Sequence, residues 1–152
     1  MKVLALMTAV CFITVSVTAA AKPDFSGSWQ FAPRLSKNIG MMAGMSMLAT
    51  VAQTADQISV TYDAGPNDRT TMRFDLSGRS VDNPTQMGGR AQTVSQLREK
   101  DFVTIWTSEG AVAGTTVTRT ETWSLSPGGK LLTISSVRGK NVPLVMVFEK
   151  RR

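Results

Sequence analysis

Downstream of residue 21 the chain is a succession of short stretches in which apolar and polar side chains alternate with a period of two. Trp29 and Phe31 fall on one face of the first stretch, Ser28 and Gln30 on the other, the pattern of a strand with one buried side. Ile58, Val60 and Tyr62 alternate with Ser59, Thr61 and Asp63, and Thr70, Met72, Phe74 and Leu76 alternate with Thr71, Arg73 and Asp75. Composition and alternation predict further strands over 48–53, 90–98, 102–107, 115–125, 130–137 and 142–150. Turn signals separate them: Gly65-Pro66-Asn67-Asp68, Ser77-Gly78, a loop at Asn83-Pro84, Glu99-Lys100-Asp101 and Ser126-Pro127-Gly128-Gly129. A helical period arises only around residues 38–48.

Some eight to ten short strands joined mostly by tight turns predict an all-β fold, an antiparallel up-and-down β-barrel. Closing the sheet removes the edges that an open meander would expose. A sandwich needs longer crossovers, and the one long irregular segment is 33–47. Gly27 lacks a Cβ and so allows another backbone to come close where the chain enters the sheet. Trp29 is suited to closing one end of the barrel, because a single ring covers a large area with few rotors.

Ahead of the barrel, residues 1–21 read as a secretory leader, with Lys2 as the charged start, an apolar run from Val3 to Thr18, and Ala19-Ala20-Ala21 as a cleavage site. Cys11 lies in the middle of the apolar run rather than at its end, which argues against lipid attachment there. The expected organisation is a signal peptide over 1–21 and one barrel domain over 22–152, periplasmic or secreted and monomeric. That domain has 131 residues, no Cys and no His, with 16 basic and 11 acidic side chains. Disulfides are excluded, and a chain of this length can rest on its own core. His-dependent triads, thiol nucleophiles and the usual zinc sites are excluded as well. No catalytic residue, metal or cofactor is therefore expected. The basic surplus is spread along the chain apart from Lys150-Arg151-Arg152. With a leader and a single Tyr it points away from nucleic acid and toward weak association with an anionic membrane surface or an anionic ligand.

The stretch Asp24-Phe25-Ser26-Gly27-Ser28-Trp29, the Leu35-Ser36-Lys37 triplet and the run from Trp123 through Ser126-Pro127-Gly128-Gly129-Lys130 to Ile134 resemble small exported bacterial lipocalin-like proteins. In that family a Gly-x-Trp start is followed by a meander and a Ser-Pro-x-Gly-Lys hairpin. The resemblance implies a calycin-type barrel of eight to ten strands. The chain departs from the best-known lipocalins in lacking a Thr-Asp-Tyr motif in mid-chain, and no arginine is assigned to the position that packs on the first-strand Trp.

The most informative strand for chemistry is 115–125, where Val117, Arg119, Glu121, Trp123 and Leu125 share one face and Thr116, Thr118, Thr120, Thr122 and Ser124 the other. Burying Val117, Trp123 and Leu125 carries Arg119 and Glu121 inward, and charges inside a barrel must pair, stay hydrated or meet a ligand. An inward guanidinium suits a carboxylate or phosphate. One expectation is that Arg119 holds the polar head of an amphipathic ligand with Glu121 orienting it, and the other is a structural ion pair. Trp29, Phe74, Trp106, Arg119, Glu121 and Trp123 are the candidate pocket residues. Met41, Met42, Met45 and Met47 form a dense cluster that reads as an adaptable lid over the barrel mouth, as a plug that binds nothing, or as a thioether copper site lacking His and Cys partners. Phe102 with Trp106, and Leu144, Met146 and Phe148, read mainly as packing. Small inward residues at Thr70, Ala91 and Thr104 favour a cavity. The chain is thus expected to bind a small hydrophobic or amphipathic ligand noncovalently. The alternative is a filled barrel acting through its surface as an envelope interaction or stress-related module.

Overall fold

The computed structural model describes residues 21–85 and 88–152, so the expected leader lies, apart from Ala21, outside the described residues. Ten strands follow one another: β1 (Gly27–Phe31), β2 (Leu48–Gln53), β3 (Gln57–Asp63), β4 (Arg69–Asp75), β5 (Val81–Pro84), β6 (Arg90–Leu97), β7 (Asp101–Glu109), β8 (Thr116–Leu125), β9 (Leu131–Val137) and β10 (Leu144–Lys150). Each pairs antiparallel with its neighbour in sequence except across β4 and β5, and β1 pairs with β10, so the spatial order is β4-β3-β2-β1-β10-β9-β8-β7-β6-β5. The sheet wraps into a nearly closed up-and-down barrel, as the alternation predicts.

Period-two alternation sets what the barrel holds. Trp29, Phe31, Val51, Ile58, Val60, Met72, Phe74, Phe102, Trp123, Leu132, Ile134, Met146 and Phe148 are all buried in one core. At the end of the barrel where β1 begins, Phe74, Phe102 and Trp123 stack edge to face with centroids 5.2 to 6.0 Å apart, the arrangement the ring quadrupole favours. Trp29 seals this end. It is fully buried, its Nε1–H donates to the Phe25 carbonyl at 2.9 Å, and the Lys150 ammonium stands 5.0 Å over its ring. A lysine from the last strand thus provides the cation over the first-strand tryptophan, where no arginine could be assigned. Gly27 has φ +134°, a conformation that calls for glycine, and the group close to it is the Lys150 side chain, 3.1 Å from where a Cβ would stand, rather than another backbone.

Three details differ from the sequence expectation. Asn83-Pro84 is the end of strand β5 rather than a loop, with Pro84 opposite Arg90, where an edge position spares the missing N–H. The helical period around 38–48 resolves as one short 3-10 turn, Gly40–Gly44, and another, Pro33–Leu35, precedes it. The last strand begins at Leu144 rather than Val142, because the Pro143 carbonyl accepts from Asn38 Nδ2 at 2.8 Å instead of joining the ladder.

The seam between β4 and β5 has no ladder, and the Asn83 side chain bridges it. Its Oδ1 accepts from the Arg73 backbone N–H at 2.8 Å, and its Nδ2 donates to the Arg73 carbonyl at 2.7 Å and to Thr93 Oγ1 at 2.8 Å. One amide thus reproduces a pair of backbone hydrogen bonds across the gap. Asn83 is 2% exposed, so its loss leaves buried partners unsatisfied. Asn83→Ala is expected to cost about 2–4 kcal/mol, read as a lowered urea midpoint, with the Arg73 amide losing hydrogen-exchange protection first.

Candidate functional site

The inner face of β8 carries Arg119 and Glu121 toward the end of the barrel where β1 finishes. Register places Trp106 of β7 directly opposite Arg119 and Ser136 of β9 directly opposite Glu121. A small cavity of about 50 Å³ lies there, its polar wall formed by Tyr62, Trp106, Arg119, Glu121 and Ser136 and its apolar wall by Met42, Met72, Leu144 and Met146. The Arg119 guanidinium lies 4.6 Å over the Trp106 ring and 3.7 Å from Glu121 Oε2, a loose ion pair at the outer limit of direct contact. The other carboxylate oxygen accepts from Trp123 Nε1 at 2.7 Å. Trp106 Nε1 is buried and has no hydrogen-bond partner.

Burial raises the affinity of the Glu121 carboxyl for its proton, and the Arg119 charge and the Trp123 hydrogen bond only partly offset this. Tyr62 is held well above its ordinary value, first by burial and second by the Glu121 charge. Glu121 is therefore the titratable group on which the cavity's charge turns. Among the described residues no group of three or more His, Cys, Asp or Glu side chains could hold a metal ion.

Of the sequence-derived candidates, Trp106, Arg119 and Glu121 meet at the cavity. Trp29, Phe74 and Trp123 pack in the aromatic core and do not line it. The four methionines do not act together: Met42 lines the cavity, Met47 is buried in the core, and Met41 and Met45 are exposed, Met41 at 94%. Adjacent Met41 and Met42 are spread around the axis of the Gly40–Gly44 3-10 turn, while Met45 caps that turn in extended conformation and Met47 lies beyond it, so the cluster disperses in space. Tyr62, Met72, Leu144 and Met146, which the sequence marks only as inward or packing positions, complete the site together with Ser136, which it does not single out. The small inward residues do not open a large hollow. Ala91 and Thr104 are buried, Ser95 Oγ donates to Thr104 Oγ1 at 2.8 Å, and aromatic rings occupy the space beside them. The remaining volume, about 50 Å³, is far below the roughly 300–1,000 Å³ that ligand pockets span.

The same end of the barrel carries a distinct surface. Exposed Leu35, Met41, Met45, Val112 and Val142 all lie in its loops, and the same two loops that carry all of these but Val112 also carry exposed Arg34, Lys37, Arg138 and Lys140. No acidic residue occurs between Asp24 and Asp56 or between Glu121 and Glu149. The opposite end shows no exposed large apolar side chain among the described residues.

No family model matches the chain, and no curated protein matches it in sequence. Solved structures do resemble it in shape. The wild-type fluorescent protein UnaG is 19% identical with a TM-score of 0.63, over 84% of this chain and 97% of that one. Fatty-acid-binding protein 1 of Echinococcus granulosus is 12% identical with a TM-score of 0.64, over 84% and 98%. A Schistosoma mansoni fatty acid binding protein, solved in complex with arachidonic acid, is 13% identical with a TM-score of 0.64, over 84% and 96%. Identities at this level establish the fold, which is of the calycin, lipocalin-like class.

The raised Glu121 value has a consequence for stability. A carboxyl that binds its proton more tightly when folded stabilises the protein fully below its unfolded value of about 4.3, and that contribution is lost as pH rises through the folded value. Glu121→Gln keeps an acceptor for Trp123 and removes the titration. The variant is therefore expected to gain in urea midpoint relative to the parent between about pH 4.5 and neutrality, and a constant offset across that range would count against the assignment.

Proposed function

We propose that this protein is an exported barrel that binds a small hydrophobic or amphipathic molecule noncovalently, without catalysis. The polar group of the ligand meets Arg119 and Trp106, and its apolar part is taken up among Met42, Met72, Leu144 and Met146. The observation that carries this reading is the buried Trp106 Nε1 without an acceptor. An unmade hydrogen bond of this kind costs about 1–3 kcal/mol, and Trp106 stands beside the Arg119 guanidinium, with Met42, Met72, Leu144 and Met146 forming the apolar wall of the same cavity. Methionine is the side chain best able to repack around a guest, so Met42, Met72 and Met146 can give way as a ligand enters. Structures of similar fold that are titled fatty-acid-binding proteins, one with arachidonic acid, support the same class of ligand.

The filled interior favours a second reading, in which the barrel holds nothing and acts through its outer surface. Native mass spectrometry of protein purified from its host separates the two and also reads the mature mass. The expected result is a chain beginning at Lys22 that carries a small apolar adduct. A bare chain that also fails to bind any member of a panel of fluorescent fatty acids and their uncharged analogues supports the filled barrel. Arg119→Ala is expected to lower probe affinity at least about tenfold, the value of one hydrogen bond to a charged group, and unchanged affinity removes the arginine from the site.

The apolar and basic loops at the cavity end suit an anionic lipid surface, with Met41 and Val142 entering the interface and Arg34, Lys37, Arg138 and Lys140 facing headgroups. Flotation with vesicles containing phosphatidylglycerol is expected to carry the protein upward, and vesicles of phosphatidylcholine alone, or added salt, to release it. Equal recovery with both vesicle types rejects this docking.

A further inference from the structure

We infer that Glu121 acts as a built-in occupant of the Arg119 site, so that the barrel at neutral pH selects ligands with an uncharged polar head and admits an anionic head only together with a proton. The inference rests on the binding function proposed above and names the ligand class.

The reasoning begins with charge. Of the side chains lining the cavity, only Arg119 and Glu121 are a cation and a carboxyl, and they lie 3.7 Å apart. From the facing strands come Tyr62 on β3, Met72 on β4, Trp106 on β7, Ser136 on β9 and Met146 on β10, none of which carries a charge at neutral pH. With Glu121 ionised, the site is electrically balanced. A ligand carboxylate taken up beside Arg119 would place a second negative charge within a few ångströms of the first, next to a Glu121 side chain that is buried while the guanidinium stays partly exposed. Two carboxyl groups sharing one such site do not both ionise. One proton must then be bound by the pair formed by the ligand and Glu121.

The hydrogen-bonding inventory points the same way. Trp106 Nε1–H is a donor without an acceptor, and the guanidinium offers further donors, so the head needs an acceptor oxygen rather than a charge. Glu121 Oε1 is already engaged by Trp123, while Oε2, held only by the loose contact to Arg119, is available to accept from a ligand N–H or O–H. A primary amide, an alcohol or a protonated acid satisfies both requirements. The direction of the Glu121 shift accords with this geometry: burial already inclines the carboxyl to hold a proton, against the opposing pull of the Arg119 charge and the Trp123 hydrogen bond.

A matched pair of probes, decanamide and decanoic acid, tests the inference by isothermal titration calorimetry in two buffers of different ionisation enthalpy. The amide is expected to bind with little dependence on pH and no proton uptake. Decanoic acid is expected to bind with uptake of about one proton and to weaken toward tenfold per pH unit on approaching neutrality and above. Glu121→Gln, which keeps the acceptor for Trp123, is expected to reverse the preference, with decanoate gaining at least about tenfold at pH 7 and its proton uptake abolished. The wild-type proton count alone decides the matter if that variant folds poorly. Decanoate binding as tightly as the amide without taking up a proton would overturn the inference while leaving ligand binding intact. Failure of both probes to bind, together with the fluorescent panel, overturns the binding function itself and the inference with it.

Discussion

The ladder between the first strand and the last is the interaction on which the rest of the barrel depends. Trp29, Gln30 and Phe31 lie opposite Lys150, Glu149 and Phe148, and this short stretch converts a meander into a closed wall. It also fixes what stands at each end. Lys150 comes to rest over the Trp29 ring, and Phe31 meets Phe148 with ring centroids 5.4 Å apart. Because β1 is only five residues long, the chain beyond it continues along β10 by other means. The Ala32 N–H donates to the Val147 carbonyl, Lys37 and Val145 exchange two backbone bonds, and Ser36 Oγ accepts from the Val147 N–H. The methionine-bearing turns are thereby laid across the cavity end as a direct result of how the sheet closes.

Within that wall the polar site is a product of register. Trp106 with Arg119, and Thr104 with Glu121, are cross-strand pairs of one hairpin, so the cation lands on an aromatic face and the carboxylate lands deep in the interior. A charge that enters a barrel because its strand also buries Trp123 must find compensation there. Here the compensation is partial: one hydrogen bond from an indole, one loose ion pair, and a cation–π contact that holds the guanidinium to the side. A fully satisfied pair would form a rigid plug, and a bare cation would attract an anion outright. The present arrangement lies between these and leaves an indole donor and a carboxylate oxygen with capacity to spare.

Much of this was legible in the chain itself, because alternation along a strand is a local property. The inward facing of Arg119 and Glu121 follows from the positions of Trp123 and Leu125, and the barrel follows from short turns and the want of crossovers. What escaped local reading depends on the circumference. Tyr62 faces Glu121 from the far side of the barrel, and which residues meet across a closed sheet is set by stagger and strand count rather than by spacing along one strand. The methionine cluster is not a unit in space for a geometric reason: Met41 and Met42 point apart on a 3-10 turn, and the chain is extended at Met45. The small side chains of β6 and β7 suggested a hollow, but aromatic rings from other strands fill the room they leave. Even the cation over Trp29 comes from the last strand, at the far end of the chain.

The single-amide seam carries a mechanical meaning. A cylinder whose strands are hydrogen-bonded all the way round has a fixed girth, and its contents cannot exceed what the closed circle encloses. This wall is fastened along one line by the two contacts of Asn83 with the Arg73 backbone, and parting that line by one strand spacing, about 4.8 Å, enlarges the lumen without breaking any ladder. The girth of the wall along this line accordingly rests on one buried amide, while the side chains packed inside set what the present circle holds.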